Sequence, residues 1–125
     1  MYSVTVERAF VAQHFLTVPN PGPEGEVHSH HYTANVELAG EELNEYGYLA
    51  DIDALEERID AAVDRYRDAT LNDLPEFEDL NPSLEHFARI FAEEFRDGLD
   101  APVVESVTVE LREDDVAWAS YRQEV

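Results

Sequence analysis

The chain reads as an α+β domain in which two β-hairpins flank two α-helices, in the order β-β-α-α-β-β. Three observations predict it. Apolar residues alternate with polar ones near both ends of the 125-residue chain, recur at helical spacing through its middle, and are separated by proline, glycine and acidic turn signals. Strands adjacent in sequence pair antiparallel, which gives one four-stranded sheet with both helices on one face. No linker or repeat divides the chain, so residues 1–125 are expected to form a single domain.

Tyr2, Val4 and Val6 open a long first strand that runs through Phe10 and Ala12 to His14. Pro19 to Gly25 cannot hold regular structure and reads as a loop. Strand periodicity returns from His30 to Leu38, and Gly40 ends it. Asp51 is placed to cap a helix carrying Ile52, Leu55, Ile59, Val63 and Tyr66 on one face. Asn81-Pro82 has the form of a cap followed by proline in the first turn, opening a second helix whose Leu84, Phe87, Ala88, Phe91, Phe95 and Leu99 face the core, with Gly98 as its stop. Val103 to Arg112 alternates again, Glu113-Asp114-Asp115 turns, and Val116 to Arg122 pairs back. The helix-free sheet face is expected to keep apolar side chains, and with unpaired edges this predicts a symmetric homo-oligomer with active sites where subunits meet.

Composition narrows the chemistry. The chain has no cysteine, which removes disulfides, thiolate metal sites and cysteine nucleophiles. Its 29 acidic residues stand against 8 basic ones, all arginine, for a net charge of -21. Such a surface repels nucleic acids and anionic membranes, and self-repulsion of this size is relieved by salt, as in a halophile. No stretch approaches the roughly 20 apolar residues of a membrane span and no basic-then-apolar leader opens the chain, so a cytoplasmic protein is expected.

Among the five histidines, His28 and His30 are two residues apart in a predicted strand and so share a face, while His31 turns away. His14, closing the first strand, could supply a third imidazole. Three neutral histidines with an open position form the ligand pattern of a catalytic zinc. Spacing alone equally allows ordinary surface or core histidines.

Several motifs occur in an order that resembles the 6-pyruvoyl-tetrahydropterin synthase and 6-carboxy-tetrahydropterin synthase family, of tunnelling (T-) fold. Ala12-Gln13-His14 is similar to the family's Ala-Ala-His, and Val27-His28-Ser29-His30-His31-Tyr32 to its Leu-His-Gly-His-x-Tyr. Gly47-Tyr48-Leu49-Ala50-Asp51, Leu71-Asn72 and Asn81-Pro82-Ser83-Leu84-Glu85 resemble three further family segments. The resemblance implies zinc on His14, His28 and His30, a pterin ring held by Glu110, and trimers closing a β-barrel that stack into a hexamer. It implies a lyase acting on the side chain of a dihydroneopterin derivative, in pterin, folate or deazapurine synthesis, including an aldolase-like variant that gives 6-hydroxymethyl-dihydropterin. A non-catalytic pterin- or purine-binding zinc protein and a purely structural zinc oligomer are the alternatives.

The chain also departs from the family pattern. Glu24 stands where the synthases carry a catalytic cysteine, and Arg67-Asp68 where they carry an Asp-His pair. Proton transfer then falls to Glu24 and Glu26, on the loop leading to the histidine strand, with Asp68 and His86 as weaker candidates.

Overall fold

The structure, a computed structural model, describes residues 1–125. Strands β1 (Tyr2–His14) and β2 (His28–Gly40) form a hairpin in continuous register, from Tyr2 opposite Gly40 to His14 opposite His28. Strands β3 (Ser106–Glu113) and β4 (Ala117–Glu124) form the second hairpin, and the sheet order is β1-β2-β3-β4, antiparallel throughout. Helices α1 (Ile52–Tyr66) and α2 (Leu84–Arg96) cover one face, α1 packing on β1 and α2 on β3 and β4. No helix is long and apolar enough to cross a membrane.

Alternation decides what each strand buries. Val6, Phe10 and Ala12 of β1, Tyr32, Ala34, Val36 and Leu38 of β2, and Val107, Val109 and Leu111 of β3 meet the helices and are buried. Leu55, Ile59, Val63 and Tyr66 of α1 and Phe87, Phe91 and Phe95 of α2 complete that core. Its aromatic centre lies against the histidine end of the sheet: Phe10 stacks on Tyr32 at 5.6 Å between ring centroids, and Tyr32 meets Phe87 edge-on at 5.2 Å.

Three expectations need correction. Ile52 is 53% exposed, because it opens α1 before the helix reaches the sheet. The cap of α2 is Ser83, whose hydroxyl accepts the His86 N–H at 3.1 Å, so Asn81-Pro82 precedes the helix instead of starting it. The proline-rich loop holds a 3₁₀ turn over Gly22–Gly25, made possible by φ +68° at Gly22. The helix-free sheet face does carry apolar side chains, Ala9, Val11, Ala39 and Trp118, though polar ones such as Thr5, Glu7, Thr33, Asn35, Thr108, Glu110 and Arg112 outnumber them.

Candidate metal centre

The register of the first hairpin assembles the centre. His14 lies opposite His28, and His30 follows two residues later on the same face. The three rings pack mutually edge-on, with centroids 4.7 Å (His14 and His28), 5.0 Å (His14 and His30) and 4.8 Å (His28 and His30) apart. One nitrogen from each lies within 4.8 Å of the others.

Each ring is held from behind. The Pro82 carbonyl takes a hydrogen bond from His14 Nδ1 at 3.1 Å, and the Glu26 carbonyl takes one from His28 Nδ1 at 2.8 Å. A carbonyl only accepts, so both Nδ1 atoms carry the proton and both Nε2 atoms present lone pairs. Those two Nε2 atoms are 3.1 Å apart, where facing lone pairs repel unless a cation or a shared proton joins them. His30 Nδ1 bonds the Asp114 carboxylate, and its Nε2 faces Glu113 Oε1 at 3.3 Å. Anchored Nδ1 and converging Nε2 atoms are the usual arrangement of metal-bound imidazoles.

His14 is 4% exposed. Burial first, then the neighbouring His28 and His30, lower its pKa to about 4, so it stays neutral at pH 7, as a ligand must. Three imidazole nitrogens without thiolates fit a zinc ion that keeps a position open.

Two carboxylates flank the trio. Glu113 continues the alternation of Val107, Val109 and Leu111, lies opposite Tyr32, and so shares the histidine face. Burial raises its pKa, His30 opposes that shift, and the charges of Asp114 and Glu24 add to it. Glu24, exposed in the 3₁₀ turn, is near enough for its charge to act on His14 as well. The turn is tied to the chain leaving β1 by Leu16 N–H on the Glu24 carbonyl at 2.8 Å.

The other sequence-derived candidates fall elsewhere. Glu26 serves through its main-chain carbonyl while its side chain is exposed. Asp68, exposed at φ +59°, bonds β1 through its backbone N–H to Val11 and joins no group of converging ligand atoms. His86 donates to the Asn81 carbonyl at 2.8 Å beside the start of α2. Glu110 sits opposite Asn35 on the helix-free face and pairs with Arg112 at 3.1 Å, so within one protomer it cannot meet a ring held at the histidines. Glu113 and Asp114 were the residues missed, although the period of two in β3 already pointed to Glu113.

The sequence profile of the family described as 6-pyruvoyl tetrahydropterin synthase matches residues 3–124. The chain belongs to the 6-pyruvoyl tetrahydropterin synthase family. A Bacillus subtilis 6-carboxy-5,6,7,8-tetrahydropterin synthase is 33% identical over 66 residues, a stretch covering 53% of this chain and 43% of that relative's length. The Caenorhabditis elegans 6-pyruvoyl tetrahydropterin synthase structure superposes with a TM-score of 0.79 at 23% identity, over 98% of this chain and 97% of its own. A Plasmodium vivax 6-pyruvoyltetrahydropterin synthase in which alanine replaces a glutamate, described there as a catalytic residue, reaches 0.82 at 15% identity, over 99% of this chain and 98% of its own. The family's T-fold architecture is therefore that of this chain.

Proposed function

We propose that the chain is a zinc-dependent lyase acting on the side chain of a 7,8-dihydroneopterin derivative. The observation that carries this reading is the convergence of one nitrogen from each of three back-anchored imidazoles, within 4.8 Å of one another, beside the half-buried carboxylate of Glu113. A zinc ion held by His14, His28 and His30 would polarise the hydroxyl oxygens of such a side chain and acidify the adjacent carbons.

Glu113 is the base this geometry favours. Its raised pKa brings it towards the range where one carboxyl group can both take and return a proton. Glu24, standing where the family's synthases carry cysteine, is the second proton-transfer residue, a role supported by the reach of its charge to both His14 and Glu113. Family membership supports the substrate class.

A homo-oligomer, trimer or hexamer, in the cytoplasm belongs to the same reading. Both β1 and β4 are unpaired sheet edges. His28 and His30 are partly exposed beside the buried His14, and neither of the two largest cavities, of about 520 and 550 Å³, includes them. A neighbouring subunit would then supply the remaining walls, including whatever grips the pterin ring.

The test is chromatography of products after incubating zinc-loaded protein with 7,8-dihydroneopterin and with its triphosphate. Turnover of one of them is expected, with Glu113→Gln slowing it by roughly 10²- to 10⁴-fold. Turnover of neither contradicts the reading, and tight pterin binding without turnover would make the chain a non-catalytic binding protein.

A further inference from the structure

We infer that Asp114 is the positioning residue of the centre: it holds His30 with Nε2 aimed at the shared point and strengthens that nitrogen as a ligand. The inference rests on the zinc reading above and deepens it.

Asp114 makes three hydrogen bonds with β2. Its Oδ2 accepts the His30 Nδ1–H, its Oδ1 accepts the His31 backbone N–H at 2.9 Å, and its own N–H donates to the His31 carbonyl at 2.9 Å. The last β2–β3 register pair is Tyr32 with Glu113, so these contacts extend the attachment of β2 into the segment carrying a ligand. The side chain is 45% exposed, which makes packing a minor part of its role.

The backbone explains how the carboxylate reaches back. Asp114 and Asp115 are the central residues of the turn closed by Val116 N–H on the Glu113 carbonyl at 3.2 Å, with φ of +53° and +61°. Asparagine suits those angles at least as well as aspartate, so the turn itself does not require an acid. What only aspartate brings is two acceptor oxygens carrying a full negative charge. A carboxylate on the far nitrogen fixes the tautomer and raises the basicity of the near one.

The test compares Asp114→Asn with Asp115→Asn, which removes the same charge from the same turn at a residue with no hydrogen bond or ion pair. Zinc affinity is read by competition with a chromophoric chelator at pH 7, beside metal-free melting curves and ¹⁵N histidine shifts. Asp114→Asn is expected to weaken zinc roughly 10- to 100-fold, leave the metal-free midpoint nearly unchanged and mix the His30 tautomers, while Asp115→Asn binds like wild type. Equal affinity for Asp114→Asn and wild type, or equal weakening in both variants, would overturn the positioning role and leave the zinc reading intact. Absence of zinc binding by wild type would overturn both. Should Asp114→Asn fail to fold, the metal-free wild type decides: His30 protonated on Nδ1 is expected, and protonation on Nε2 contradicts the role.

Discussion

Burial keeps His14 neutral, the form a metal ligand needs. Its pKa of about 4 lies below the ordinary 6.5, so the metal-free chain gains nothing from this group above pH 6.5. Between pH 6.5 and 4 the unfolded chain takes up a proton that the folded chain refuses, and stability falls by about 3 kcal/mol from this residue. Urea unfolding of metal-free protein at pH 7, 5.5 and 4 should show that loss, and His14→Gln should remove this part of the slope. An unchanged slope in the variant would contradict the account. At this scale the histidine trio was legible, because a strand's period of two is readable in His28 and His30. The supporting acid was marked by the same period of two, which turns Glu110 away from the centre and Glu113 towards it; what the sequence did not show was the β2–β3 register that sets Glu113 opposite Tyr32.

Side-chain clamps hold the segments around β1. Asn72 imitates a strand partner, taking the Phe15 N–H at 3.0 Å and donating to the Phe15 carbonyl at 2.9 Å. Asn81 accepts the Thr17 N–H at 2.9 Å, and the next carbonyl, of Pro82, anchors His14. Asn72→Ala is therefore expected to cost about 1–3 kcal/mol and to weaken zinc as the end of β1 loosens, measured by denaturation and chelator competition. Ser83→Ala should cost about 1 kcal/mol through lost capping while leaving zinc affinity nearly unchanged. Equal effects of the two on zinc would refute this division. Both helices and all four strands could be read from apolar periodicity, which is local. The purpose of Asn72 and of Asn81-Pro82 could not, since their partners lie 57 and 64 or more residues away.

Charge dominates the whole molecule. Arg8, Arg65, Arg67, Arg89, Arg112 and Arg122 are in ion pairs, and Arg58 is spent on the last carbonyls of α2, donating to Glu94 and Phe95 at 2.7 and 3.1 Å. Most of the 29 acidic residues therefore face water without a cationic partner. Raising KCl from about 0.1 to 2 M should raise the thermal midpoint, since screening shortens from about 10 Å to below 3 Å, and a falling midpoint would contradict salt adaptation. The charge balance needs no structure to be read. In β3 alternation already put Thr108, Glu110 and Arg112 on the free face, whereas their alignment with Thr5, Glu7, Thr33 and Asn35 needed the register between strands.

Zinc content per chain, measured by atomic emission after loading and gel filtration, bears most directly on the central claim. One ion per wild-type chain and almost none for His28→Ala is the predicted result. A metal-free wild type, or an unchanged content in the variant, would mean that the three imidazoles meet for some other reason.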